Sequence, residues 1–221
     1  MAELLNMDFL PEKTRKIFQH LGTSSFISNF TLVGGTALSM QIKHRLSEDL
    51  DFVFDGDELN INQIKRNIKK LFPLFRIIRQ DHNWQIDFSI DEVKLTFFST
   101  GAIALPFKVR TYSFRDNNVI IAEAKAIAAL KFSAIAQRNT IRDYYDLYYL
   151  SRYHFPLLEL INFTREVNPN LSPITYTETL VYTKDIAEDN ISSHLSPAEK
   201  VNKYQMAAFF SQELIKIQEL I

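Results

Sequence analysis

The chain has 221 residues, a net charge of −1 and no cysteine. That excludes disulfides, thiolate metal sites and a cysteine nucleophile, and it leaves no global basic field to draw in nucleic acid. With 46% hydrophobic residues, 18 of them Phe by count, the chain can bury a sizeable core in one domain or in a core with an extension.

The first residues, MAELLNMDFLPEKTRKIFQHL, carry acidic side chains early and no continuous apolar stretch, so they are not expected to be a signal peptide. No apolar run approaches the roughly 20 residues that span a bilayer, and a soluble, cytoplasmic protein is expected. A helix is predicted over about 11–30, with Ile17, Phe18 and Leu21 at helical spacing. Phe30–Val33 reads as a short strand, Thr36 as the cap of a helix over Ala37–Lys43, and Asp49–Phe54 as a second strand. Glu58–Phe72 is amphipathic and is closed by Pro73. Phe75–Arg79, Trp84–Ile90, Val93–Ser99 and Phe107–Phe114 read as strands, with Asp91-Glu92 a two-residue turn. From Ala122 the pattern becomes helical: Ala122–Gln137, Ile141–Tyr153, then several helices ending in Pro197–Ile221. An α+β core over 1–118 is therefore expected, followed by a helical C-terminal region over 119–221.

Two short patterns lie close together in this core. Asp49 and Asp51 stand at i and i+2 on a predicted strand, so both point to one face while Leu50 points to the other. Two like charges on one face of a largely apolar strand need neutralising. A hard cation such as Mg²⁺ (or Mn²⁺), ligated by carboxylates and substrate phosphates, does this. A salt-bridge network with Lys43, His44 or Arg45 would do it too. Gly34-Gly35-Thr36 is either a tight turn with an ordinary cap, or a site where backbone amides and the Thr36 hydroxyl meet phosphate. Together the two patterns suggest nucleotidyl transfer. His44-Arg45, between them, fit a functional role and the helix C-terminal dipole equally well.

A second constellation runs from Lys131 to Leu150. Lys131, Arg138 and Arg142 lie seven and four residues apart, which predicts one basic stripe on a helical face. Asp143 and Asp146 are interleaved with Tyr144, Tyr145, Leu147 and Tyr148, so they form either a salt-bridged solvent face or partly buried charges. Trp84 and the Phe-rich strands read most simply as core, with base stacking as the other reading.

These two stretches resemble the AbiEii/AbiGii toxin type of nucleotidyltransferase, found in bacterial toxin–antitoxin and phage-defence systems. The likeness rests on Gly34–Leu38, His44-Arg45, Ser47 and Asp49–Phe52, then on Lys131, Ala134, Arg138, Arg142-Asp143, Asp146-Leu147 and Leu150. Phe132 stands where such proteins usually have Leu, and the likeness covers about residues 30–150. The resemblance implies a polymerase-β-like nucleotidyltransferase core, a mixed sheet flanked by helices, whose helical C-terminal region completes the active site. It implies metal at Asp49 and Asp51, with the triphosphate near Gly34, Gly35 and Thr36. Lys131 and Arg138 would contact nucleotide phosphates, with Arg142 beside them, and Asp143 and Asp146 would organise the site. Lys131 and Asp146 would join Asp49 and Asp51 in catalysis. It also implies an NTP substrate, a cognate antitoxin as partner and tRNA 3′ ends as acceptor, with a protein hydroxyl or a small molecule as the acceptors the sequence leaves open.

In one place the chain departs from that pattern. The third carboxylate usual in such enzymes falls at Thr96, which cannot replace a charged ligand. If Asp91-Glu92 is the turn, Ile90 pairs with Val93 and Asp87 falls opposite Thr96, where it could supply the missing oxygen to a metal. Asp87 is otherwise a surface residue; the third carboxylate is then absent, and catalysis is slow, uses fewer ligands or is lost, the last making the chain a degenerate nucleotidyltransferase that binds nucleotide or a partner without turnover. Any RNA contact would be local, through Lys65, Arg66, Lys69, Lys70, Arg76 and Arg79, for most of which a solvated face is the simpler reading.

Overall fold

The computed structural model describes residues 5–219, which divide into two compact units. The first comprises the described residues up to Gln41 together with Leu46–Ala124. The second comprises Ile42–Arg45 and the chain from Lys125 onward.

The first unit opens with α1 (Glu12–Leu21), which buries Thr14, Ile17, Phe18 and Leu21 along one stripe. It stops at Gly22, well short of the expected residue 30, and a 3₁₀ turn over Ser25–Asn29 follows, with the Ser24 side chain accepting from the Phe26 N–H. Next come β1 (Thr31–Val33), α2 (Gly34–Ile42), β2 (Leu50–Phe54) and α3 (Ile61–Leu71). The Asn60 side chain caps α3, which buries Ile61, Ile64 and Ile68. Strands β3 (Arg76–Asp81), β4 (Gln85–Ile90), β5 (Val93–Ser99), β6 (Ser113–Asp116) and β7 (Val119–Ala122) complete the unit.

All seven strands form one mixed sheet in the order β3-β4-β5-β2-β1-β7-β6. Pairs β1/β7 and β2/β5 are parallel and the others antiparallel. Asp91 and Glu92 both adopt positive φ (49° and 72°), the backbone a two-residue hairpin turn needs, and Ile90 pairs with Val93 as expected. The expected strand over 107–114 is instead a 3₁₀ turn at Val109–Tyr112 leading into β6. β7 was expected to be loop and helix start. Its four apolar residues, all buried, carry no periodicity that separates strand from helix. Strands β6 and β7 complete the sheet, and beyond the Ile42–Arg45 segment the chain passes from the first unit to the second at Ala124/Lys125.

Aromatic rings fill the middle of this unit. Phe97 of β5 meets Phe30 (4.8 Å between centroids), Phe52 (5.6 Å) and Phe88 (6.3 Å). Such contacts contribute about 0.5–1.5 kcal/mol each beyond area burial. Trp84, read from sequence as core, is 45% exposed at the β3–β4 turn.

The second unit is helical: α4 (Ala124–Ile135), α5 (Ile141–Tyr153), α6 (Leu157–Val167), α7 (Pro173–Val181) and α8 (Lys203–Glu219). Helix α5 is buried on nearly every side, so its polar groups need partners. The Tyr148 hydroxyl donates to Glu199 (3.0 Å), and that of Tyr145 accepts from the Glu199 N–H (3.0 Å). These bonds tie α5 to the segment before α8. That segment is irregular up to residue 202, where a helix from Pro197 was expected; residues 220–221 of that expectation lie outside the described residues.

Candidate active site

Strand pleating separates two neighbouring rows across the sheet. Leu32, Phe52, Phe97 and Ile86 stand opposite one another and are all buried. One residue along, Val33, Asp51, Thr96 and Asp87 stand opposite one another and point to the other face. The core row anchors the strands, and the row beside it carries the polar groups.

Gly34 follows Val33 directly, at φ +73°. A Cβ built there would lie 3.0 Å from Oδ2 of Asp51, so glycine is required both by backbone conformation and by close approach of the carboxylate. Helix α2 starts at this glycine, and its first amides lack intrahelical acceptors. A carboxylate beside helix-terminal N–H groups is a setting suited to a cation and phosphate together.

Thr36 lies within α2 rather than capping it. Its hydroxyl, 1% exposed, bridges the Ser47 hydroxyl (3.0 Å) and the Asp49 carbonyl. The loop before β2 is held again by Thr14 Oγ1, which donates to the Glu48 carbonyl (2.7 Å). Asp49, expected to be the first residue of the strand, immediately precedes it, and its backbone is fixed by these bonds.

Asp87 is not the surface residue that was the alternative expectation: it is 3% exposed. Its carboxylate accepts from Gln85 Nε2 (2.8 Å) and pairs with Lys94 Nζ (3.2 Å), both on its own hairpin. Thr96, between Asp87 and Asp51, is 4% exposed, and its hydroxyl has no hydrogen-bond partner. Among the described residues, no group of three or more His, Asp or Glu side chains is gathered so as to hold a metal.

The second unit holds a buried ionic cluster. Arg45 grips Asp146 with two bonds, Nε to Oδ1 (2.7 Å) and Nη2 to Oδ2 (2.9 Å). His44 Nε2 lies 2.7 Å from Oδ1, and Lys131 Nζ lies 2.7 Å from Oδ2. Lys131 Nζ also donates to Asp143 Oδ1 (2.5 Å), whose Oδ2 accepts from Arg138 Nε (3.0 Å) and the Thr140 hydroxyl (2.6 Å). Burial alone would raise the Asp146 carboxyl, but Arg45, Lys131 and His44 hold it well below the usual carboxylate range. Burial likewise opposes the ionisation of Asp143 and Lys131, and their partners reverse it: Asp143 is lowered and Lys131 raised. For His44 burial prevails over Asp146 and lowers its pKa, so the ring is neutral and donates through Nε2. Its Nδ1 is left buried without a partner.

The predicted single basic stripe does not form. Helix α4 ends at Ile135, Arg138 lies in the connection to α5, and Lys131 is buried while Arg142 is exposed. The break puts the two Asp residues under Lys131 instead. Pairing of His44 and Arg45 with Asp146 spans about a hundred positions, and no local spacing announces it. Of the predicted site residues, Gly34, Gly35, Thr36, Asp49, Asp51 and Asp87 belong to the first unit. Lys131, Arg138, Arg142, Asp143 and Asp146 belong to the second.

Residues 16–193 match the family described as "Nucleotidyl transferase AbiEii toxin, Type IV TA system". The chain belongs to the AbiEii nucleotidyltransferase toxin family. A relative, the uncharacterized protein aq_aa25 of Aquifex aeolicus (strain VF5), is 32% identical over 182 residues, covering 81% of this chain and 86% of its own. In fold, this AbiEii-family chain is similar to a Helicobacter pylori nucleotidyltransferase structure (TM-score 0.53, 16% identity, 96% of this chain and 99% of that one). It is also similar to JHP933 from Helicobacter pylori (TM-score 0.51, 18% identity, 97% of each chain). No helix among the described residues is long and apolar enough to cross a membrane.

Proposed function

We propose that this AbiEii-family nucleotidyltransferase is metal-dependent and transfers NMP from an NTP to an acceptor hydroxyl, with a tRNA 3′ end as the acceptor class. The observation that carries the reading is the Asp51 carboxylate lying against Gly34 at the start of α2, with Asp49 two residues before it. Two carboxylates form an all-oxygen donor set suited to Mg²⁺ or Mn²⁺, which keep waters and take phosphate oxygens as further ligands. A cation bound by Asp49 and Asp51 would neutralise triphosphate charge and polarise the transferring phosphoryl group. The chain's own part is to hold both carboxylates on a fixed backbone and to offer the amides of Gly34 and Gly35 to phosphate. The acceptor hydroxyl oxygen attacks the α-phosphate and gives up its proton to solvent, the bond to the β-phosphate oxygen breaks, and pyrophosphate leaves.

Asp87 is the candidate for a third oxygen, and its bonds to Gln85 and Lys94 would have to yield for it to serve. In the second unit, Asp146 fixes Arg45 and Lys131 fixes Asp143, while Arg138, its side chain 64% exposed, keeps donors for an anion. We place the activity in the cytoplasm, restrained by a cognate antitoxin, within a phage-defence setting.

A second reading, a nucleotide-binding module without turnover, is favoured by Thr96 at the third-carboxylate position and by Lys94 already neutralising Asp87. Both are tested with α-³²P-labelled NTPs, Mg²⁺ or Mn²⁺, total tRNA and total protein, comparing wild type with Asp51→Ala. Label on tRNA that vanishes in the variant supports the first reading, and label on protein changes the acceptor. Nucleotide binding with no label above the variant supports the second.

A further inference from the structure

From Leu59 to Gln80 the chain carries six cations and no Asp or Glu, so the rest of the molecule carries −7 against a total of −1. In α3, Lys65, Arg66, Lys69 and Lys70 fall within about 140° of arc at 100° per residue, opposite the buried stripe of Ile61, Ile64 and Ile68. Lys65/Lys69 and Arg66/Lys70 are like-charge pairs at i,i+4, each destabilising the helix by about 0.2–0.5 kcal/mol. The helix dipole accounts for Lys69 and Lys70 in the last turn but not for Lys65 and Arg66.

β3 continues the charge. It is one of the two edge strands of the sheet, exposed at all but its last residue, and contributes Arg76, which stands opposite Ser89. Arg79 is already paired with Asp81 (3.0 Å), whereas Lys65, Arg66, Lys69, Lys70 and Arg76 have no carboxylate partner among the described residues. Helix and strand are tied at both ends: the chain over 72–75 joins them at one, and the Leu59 N–H donates to the Asn83 carbonyl (2.6 Å) at the other. At that second end stands Trp84, 45% exposed, with the His82 ring 5.4 Å away.

We infer that α3, β3 and the Trp84 turn form a docking face for RNA, its phosphates on the lysine and arginine side chains and a base on the Trp84 indole. An acidic protein segment would also meet the cations. However, the exposed indole at the end of the basic strip is the arrangement by which single-stranded nucleic acid is held. The inference rests on the RNA-acceptor reading for its biological sense but not for its test, which measures binding without NTP.

Trp84 is the only tryptophan, so its fluorescence reports occupancy of this face directly. Wild type would be titrated with total tRNA, by Trp84 quenching and by anisotropy of end-labelled tRNA, from 50 to 200 mM salt. Each phosphate contact contributes about 0.7–0.9 to the slope of log K against log salt. Lys65→Gln/Lys69→Gln should lower that slope by about 1.5 and weaken binding about 30-fold at 0.1 M salt, with unchanged circular dichroism and a melting temperature equal to or slightly above that of wild type. Lys65→Glu/Lys69→Glu should weaken it further, and Trp84→Ala should weaken it at an unchanged salt slope. Equal binding by wild type and both lysine variants, no binding by wild type, or preference for an acidic polypeptide competitor over tRNA would each overturn the proposal. Binding that follows these variants while no NTP label reaches tRNA would keep the face and remove the tRNA-acceptor reading instead.

Discussion

Replacing Asp146 by Asn tests whether the buried cluster is held together by charge. Asp146 is fully buried and each of its oxygens faces two donors: His44 Nε2 and Arg45 Nε at Oδ1, Arg45 Nη2 and Lys131 Nζ at Oδ2. An asparagine presents one carbonyl and one NH₂, so its NH₂ confronts either Arg45 Nη2 and Lys131 Nζ, or Arg45 Nε and a His44 ring that must switch tautomer to accept. Arg45 and Lys131 would then share Asp143 as the one remaining carboxylate of the cluster. Removing one partner of a buried ion pair typically costs about 3–5 kcal/mol. For a chain of this size, about 2–4 °C of melting temperature accompanies each kcal/mol, giving an expected fall of about 6–20 °C. Far-UV circular dichroism and Trp84 fluorescence should both report the fall. A melting temperature within 2 °C of wild type by both probes would refute the reasoning, since the cations would then have found water or another acceptor.

The remaining predictions concern pH and the first unit. The folded protein holds His44 neutral with a lowered pKa, so below the ordinary imidazole value of 6.5 the unfolded chain takes up a proton that the fold refuses. Stability should be full above that pH and fall toward acid by up to about 1.4 kcal/mol per pH unit, with Asp143 and Asp146 adding to the loss below 3.8. His44→Gln should flatten urea midpoints between pH 6.5 and 5, and an unchanged slope would mean another group carries the effect. Gly34→Ala adds strain of about 1 kcal/mol at positive φ and pushes the Asp51 carboxylate aside. It should cut label transfer at least tenfold while circular dichroism is preserved, and full activity would dissociate Asp51 placement from function. Thr96→Val removes a buried hydroxyl without a partner and should stabilise by about 1 kcal/mol in urea titration, whereas a loss would reveal a hidden acceptor. EDTA should abolish label transfer and added Mn²⁺ restore it; transfer that survives chelation counts against metal at Asp49 and Asp51.

Much of the first unit was legible because its signals are local. A two-residue turn at Asp91-Glu92 with alternating flanks fixes register, and register alone places Asp87 opposite Thr96. Asp51 pointing away from the aromatic core follows from the period of two in a strand. The α+β order of elements is likewise carried by hydrophobic periodicity. Whatever depends on partners distant in the chain was not legible. That β7 is a strand depends on β1, some ninety residues earlier, offering it a parallel edge. That Lys131 is buried, and not part of a solvent stripe, depends on the break after Ile135 and on two carboxylates from α5. The Arg45–Asp146 pair joins positions 101 residues apart. Local pattern determines which way a side chain points from its own element, because backbone geometry repeats every 2 or 3.6 residues. Whether a charge pointing that way meets water, an opposite charge or nothing is decided only when the elements pack, because burial and Coulomb attraction depend on distance in space and not along the chain.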